Sequence, residues 1–189
     1  EHVFPDRPDI VAKKAMEAAH IRDDPFEALV HYERLVAQQP DDAMYRFWLG
    51  CGLARVNRTD AAVVECRLAC ELRPEWSLPA VEVAVILSNA GRLDAALDAI
   101  TRAAAEYEID AHLGNIHGRI LMQLDRQREA IPWFEGVLML NDTHANAMQD
   151  LAHCLLSTGA RRQGRNWAKA AHRLGAGQAL ADLKAGRYD

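Results

Sequence analysis

Alanine or glycine recurs every 34 residues along this chain, at Ala28, Ala62, Ala96, Ala130 and Gly164, with no insertion or deletion between copies. A fixed period of about 20–50 residues marks stacked supersecondary units, each too small to bury its own apolar face. A second small series keeps step with the first, at Gly50, Ala84, Gly118 and Ala152, and only Met16 breaks it. Two small residues per period let two helices approach closely, so each period reads as one helical hairpin. The expected class is all-α, and 189 residues are enough for a short array with a real core.

The periods span 9–42, 43–76, 77–110, 111–144 and 145–178, after an N-terminal extension (1–8) and before a C-terminal segment (179–189). Numbered 1 to 34 within each repeat, position 15 holds Asp23, Asn57, Gly91, Asp125 and Gly159. These residue types tolerate the left-handed backbone at a helix C-terminus, so a turn is expected there five times. After it come helix starters such as Pro25 and Asp60, then apolar stripes such as Ala28–Tyr32–Leu35, Ala96–Ile100–Ala103 and Ala130–Phe134–Val137. Pro40 and Pro74 close the first two repeats. Glu108, Asp142 and Ala176 take that place in the others, where a less stiff stop is expected, with Gly175 and Gly177 beside Ala176 to break the last helix. Leu180 and Leu183 suit a short capping helix over the final repeat.

This pattern resembles the tetratricopeptide repeat family. The residues that carry the resemblance are Leu49–Gly50, the alanine at position 20, Tyr32 or Phe134 at position 24, and Ala69, Ala103 and Ala171 at position 27, with the two prolines. Repeat one departs from it, with Ala12, Ala15, Met16 and Ala19 where a large and small pair is usual; terminal repeats of a solenoid are commonly atypical. The resemblance implies an α-solenoid, a right-handed superhelix of five helix-turn-helix repeats plus a C-terminal capping helix, with the first helices lining a concave groove.

In arrays of this type, positions 2, 5, 6, 9, 12 and 13 of the first helix face the groove. Repeats two and three then contribute Met44, Phe47, Trp48, Cys51, Leu78, Val81, Glu82 and Val85, an apolar set with an aromatic anchor. Repeats four and five contribute His112, Asn115, Arg119, Met122, Gln123, Asn146, Gln149, Asp150 and His153, a polar set rich in amides that can bond a peptide backbone in both senses. The candidate groove contacts are Met44, Phe47, Cys51, Val81, Val85, Asn115, Arg119, Gln149 and His153. Trp48 is divided between the groove and the contact of neighbouring repeats. The family's two-carboxylate clamp is not expected: Lys13 matches it, but Glu17, Trp48, Leu78 and Glu82 stand where its other residues belong.

Composition narrows the function. A net charge of −5 and a pI near 5.9 lack the basic excess of nucleic-acid-binding domains. Residues 9–42 carry eight acids and four bases, while 145–178 carry one acid and five bases. The basic stripe Arg161, Arg162, Arg165, Lys169, Arg173 reads as a solvated helix face, and alternatively as a contact for an acidic partner, for a phosphate-rich surface or for the acidic first unit of another copy in head-to-tail association. Cys51, Cys66, Cys70 and Cys154 show no paired spacing and read as small apolar residues; neither a metal site nor a cofactor is expected. His117 falls at position 7, where a buried leucine is usual, and is expected to be a hydrogen-bonded core histidine. No apolar run is long enough to span a bilayer. The cysteines suggest no disulfide framework, so a cytoplasmic location is expected, while the start at Glu1 is compatible with a trimmed or processed chain and leaves the periplasm or secretion open. The expected role is a non-enzymatic protein-interaction scaffold that captures a peptide or protein in its groove. The alternatives are a targeting or regulatory arm of a larger enzyme, for example a transferase, and a self-assembling scaffold.

Overall fold

The computed structural model describes residues 7–188, which form eleven α-helices, one π-helical segment and no strand. The chain divides after Ala99 into two compact units. The N-terminal unit comprises α1 (Pro8–Met16), the π-helical segment Glu17–Ile21, α2 (Pro25–Gln38), α3 (Ala43–Arg55), α4 (Thr59–Leu72), α5 (Leu78–Asn89) and the start of α6 (Leu93–Glu106). Here consecutive helices from α1 to α5 pack on one another, and α3 also meets α5. The C-terminal unit holds the rest of α6, then α7 (Ala111–Gln123), α8 (Gln127–Leu140), α9 (Ala145–Ser157), α10 (Arg161–Arg173) and α11 (Gln178–Lys184). Its helices from α7 onward pack in the same sequential way, with α7 also touching α9 and α9 touching α11.

The second helices begin at Pro25, Thr59, Leu93, Gln127 and Arg161, each 34 residues after the last. Their common start follows from the turn before them. Asp23, Asn57, Gly91, Asp125 and Gly159 all lie in the left-handed region, with φ of 49°, 61°, 74°, 60° and 90°. In repeat two the Arg58 amide donates to the Leu53 carbonyl at 2.9 Å and the Asn57 amide to that of Ala54 at 3.0 Å. The same pair of bonds recurs at Arg92–Leu87, Arg126–Leu121 and Ala160–Leu155, and satisfies carbonyls that the helix end leaves over. The closing proline is not required for the stop: α6 and α8 end at Glu106 and Leu140, in register with Gln38 and Leu72.

The position before the first helix is a side-chain cap in repeats two, four and five, whereas α1 and α5 start without one. The Asp42 carboxylate accepts from the amides of Met44 and Tyr45, and that of Asp110 from Leu113. His144 stands at the same register, and its Nδ1 accepts from the Ala147 amide at 3.1 Å, so an imidazole does the capping normally done by a carboxylate.

The small residues mark where helices nearly touch. A Cβ added at Gly50 would lie 2.5 Å from the Cys66 sulfur, one at Gly118 2.7 Å from the Phe134 ring, and one at Gly164 2.7 Å from Leu156. Repeat one solves the same problem differently. Met16 is too large for the small slot and is half exposed, while Ala15, Ala18 and Ala19 are buried in its place. The packing face has therefore slipped by a residue, and the helix accommodates the slip by widening into the π-helical segment before Asp23 restores the common register.

At the chain's end, Ala179 packs with Ala152 and Ala168, joined by the half-buried Trp167 and Leu180. The nearly buried Asp182 accepts from Gln178 at 2.8 Å and pairs with Arg187 at 2.9 Å, closing α11 on itself.

Candidate interaction surface

In the N-terminal unit, α3 separates two cavities. The one toward repeat one measures 240 Å³ and is walled by Met16, Pro25, Tyr32, Trp48, Cys51 and Arg55. The one toward repeat three measures 330 Å³ and is walled by Cys51, Arg55, Glu82, Ile86 and Asn89. These sizes fall near or below the ~300 Å³ lower end of small-molecule pockets and suit single side chains. Cys51 and Arg55, one helical turn apart, form the ridge shared by both.

Met16 at the end of α1 and Ala19 of the π-helical segment wall the first cavity opposite residues of α2 and α3. Trp48 packs tilted against Tyr32 and Tyr45, with ring centroids 6.3 and 5.7 Å away. It thus joins neighbouring repeats and lines the cavity at once, so both roles weighed for it from the sequence are occupied. Arg55 donates from one guanidinium nitrogen to the Ala19 carbonyl at 3.1 Å and from another to the Asp23 carboxylate. These bonds tie α3 to the π-helical segment and the turn that follows it, and pair the arginine with Asp23. Burial, with Glu82 as the next cause, pushes the Cys51 thiol up to about 12, so Cys51 is an apolar wall and not a nucleophile at neutral pH.

The sequence-chosen residues separate into distinct groups. Cys51 lines both cavities. Met44 and Val85 are half-buried on α3 and α5 and line neither. Phe47 is not a free anchor: its ring meets Trp76 edge-on at 5.0 Å, and Arg73 lies over the same indole at 5.4 Å. Val81 is 2% exposed and belongs to the core rather than to an open groove. Arg55 and Asn89 were not selected, although both stand at position 13, one of the groove-facing registers, and that shared position was the signal.

In the C-terminal unit, Arg119 is exposed and Asn115 half-buried, with its Oδ1 enclosed and without a hydrogen-bond partner among the described residues. Asp150 is held above the usual carboxylate range by burial, with Arg119 and His153 opposing. Gln149 and His153 are not open contacts. Gln149 accepts from the Gln178 amide at 3.0 Å, and His153 Nδ1 shares a 2.8 Å hydrogen bond with the Tyr188 hydroxyl. The C-terminal segment therefore sits on the face they were expected to display. Arg161 of the basic stripe also donates to the Tyr188 carbonyl at 2.8 Å; Arg162, Arg165, Lys169 and Arg173 are exposed along α10.

His117 is buried as expected, yet it is not the hydrogen-bonded histidine the sequence suggested. Its ring stacks on Trp133 at 3.8 Å and its Nδ1 has no partner among the described residues. Trp133 also forms part of a wide apolar cavity of 550 Å³ on repeat four, with Ile109, Pro132, Met139 and Leu140. Nothing at positions 29 and 30 singled out Met139 and Leu140 in the sequence. Among the described residues no three metal-ligating side chains converge, and no helix is long and apolar enough to cross a membrane.

No protein-family model and no curated protein matches the sequence. Solved structures do match its fold. The crystal structure of MamA aligns with a TM-score of 0.72 at 16% identity, over 94% of this chain and 99% of that one. PilF of Pseudomonas aeruginosa gives 0.75 at 16% identity, over 89% and 76%. YrrB, described as a TPR protein with an unusual peptide-binding site, gives 0.64 at 17% identity, over 81% and 84%. The five left-handed turns, the 34-residue helix register and these neighbours agree, and the chain has the all-α fold of the tetratricopeptide-repeat proteins.

Proposed function

We propose that this chain is a protein-interaction module and that its N-terminal unit takes an extended peptide across α3, with one side chain in each of the two adjoining cavities. The observation that carries the reading is the pair of side-chain-sized cavities sharing the Cys51–Arg55 ridge. Their walls are already held by packing and by the Arg55 bonds, so the receptor loses little freedom on binding. A π-helical segment beside the first cavity fits this reading, since such segments recur at functional sites. The peptide-binding site named for the structural neighbour YrrB also supports it. Met44, Phe47 and Val85 would extend the surface along α3 and α5, while Asn115 and Arg119 are the polar contacts the C-terminal unit has to offer.

The test is to fill the ridge. Cys51→Phe puts an aromatic ring into the mouth of both cavities. A peptide selected on the wild-type protein from a random display library should bind this variant at least about tenfold more weakly by fluorescence anisotropy, the scale set by truncating or blocking one anchor pocket. Its far-UV circular dichroism should match the wild type. Equal affinity with intact helicity would remove the site from α3.

A further inference from the structure

We infer that repeat four carries a second interaction surface, whose apolar cavity takes one face of a basic amphipathic helix from a protein partner. The cavity lies in the C-terminal unit and, at 550 Å³, is larger than either of those beside α3. Its outer wall departs from the other second helices. Met139 is 88% exposed and Leu140 61%, whereas the register of Met139 holds Ala37, Glu71, Ala105 and Arg173 in the other repeats. Exposed apolar side chains grouped at a cavity, unlike scattered ones, mark interaction sites. Gly136 is the sharper sign. It stands inside α8 without positive φ, where glycine weakens a helix relative to alanine. A Cβ there would meet nothing within 4 Å among the described residues, so packing does not require the glycine as it does at Gly118 and Gly164. The missing side chain instead widens the cavity, which Gly136 lines.

The chemistry of the walls selects the occupant. Among the described residues no hydroxyl, carboxamide or charged side chain lines the cavity. An extended peptide would bury its amides and carbonyls there without partners, whereas a helix satisfies its own backbone and presents only side chains. Charge then sets the polar face of that helix. The residues bordering the lining in sequence are acidic and exposed: Glu108 and Asp110 on either side of Ile109, Glu135 before Gly136, and Asp142 two places after Leu140. Asp110 also caps α7. Residues 106–142 contain seven acids against three bases, so this stretch is acidic as a whole. Those bases, Arg119, Arg126 and Arg128, stand toward the α7–α8 turn, at the other end of both helices, and Arg126 is paired with Glu129. A helix with large apolar side chains on one face and lysine or arginine along its edges therefore meets an apolar wall and an acidic border together. An acidic helix of the same shape meets like charge.

The experiment titrates the full chain with three designed peptides of about 18 residues, long enough to hold a helix. One carries a leucine stripe with lysines on its other face, one replaces the lysines by glutamates, and one scrambles the order of the first. Fluorescence anisotropy should show the basic amphipathic peptide binding at least about tenfold tighter than the other two. Gly136→Leu, which fills the cavity, should weaken that binding at least about tenfold, the effect of blocking an anchor pocket. Gly136→Ala should weaken it less while raising the thermal midpoint, a pairing that damage to the fold would not give. Glu135→Lys combined with Asp142→Lys should remove the preference for the basic peptide. Absence of binding, equal binding of the basic and acidic peptides, or binding unchanged in Gly136→Leu would overturn the inference and leave the α3 reading standing. Loss of binding in Cys51→Phe would overturn it by moving the peptide to α3. A dimer in light scattering that Gly136→Leu dissociates would overturn it in favour of a second copy as the occupant.

Discussion

Replacing Phe134 by alanine should destabilise the C-terminal unit by about 3–5 kcal/mol, the largest loss expected from any single truncation in the chain. Phe134 is fully buried on α8, and its ring lies where α7 comes closest, against the backbone of Gly118. That contact is the repeat's own logic in one pair: a small residue at position 8 makes room for a large one at position 24. The converse change tests it. A Cβ at Gly118 would fall 2.7 Å from Cζ and 2.8 Å from Cε1 of the ring, so Gly118→Ala should cost about 1–3 kcal/mol despite alanine's better helix propensity. Combining Gly118→Ala with Phe134→Leu should cost less than the sum of the two changes, by more than the ~0.5 kcal/mol scatter expected of independent sites. Guanidinium unfolding followed by circular dichroism measures the three single variants, Phe134→Leu included, and the double variant. Additive costs would show that the two residues do not set each other's size.

The second large effect is on pH. His117 occupies a core position held by Leu49, Val83 and Leu151 in other repeats. Burial, with Arg126 adding to it, lowers its pKa from 6.5 to about 4. The folded chain therefore keeps the imidazole neutral where the unfolded chain protonates it. Stability from this group is full above about pH 6.5 and is lost as the pH falls toward 4, because the unfolded state then binds the extra proton. Across that window the slope reaches at most about 1.4 kcal/mol per pH unit, and the total is of order 2–3 kcal/mol. His117→Leu removes the titrating group and keeps the volume. The difference in stability between wild type and variant, measured by denaturant unfolding from pH 7 to 4, should grow steadily as the pH falls. Parallel curves would mean that His117 stays accessible to protons in the fold.

How far the sequence could be read depended on what each residue does locally. Turns were legible because left-handed backbone narrows the choice to Asp, Asn and Gly, and those types stood at position 15 in every repeat. Helix contacts were legible because close approach demands Ala or Gly at fixed spacing. The displayed surface was harder, since a groove register says where a side chain starts and not what it meets. Phe47 found Trp76, which lies in the connection between α4 and α5, outside the first-helix registers. Gln149 and His153 met a C-terminal segment read only as a cap. Val81 turned inward into the core. The slip into π-helix around Met16 left a trace in the sequence, the one break in the small-residue series, but its consequence, a cavity between α2 and α3, needed coordinates.

The proposed function requires α3 to be the surface that meets a partner. Amide chemical-shift mapping of the isotope-labelled chain, titrated with a display-selected peptide, tests that directly. Perturbations should concentrate at residues 16–19, 48–57 and 82–90, around the two cavities. Perturbations confined to Ile109, Trp133, Met139 and Leu140 would place binding in the apolar cavity of repeat four and contradict it.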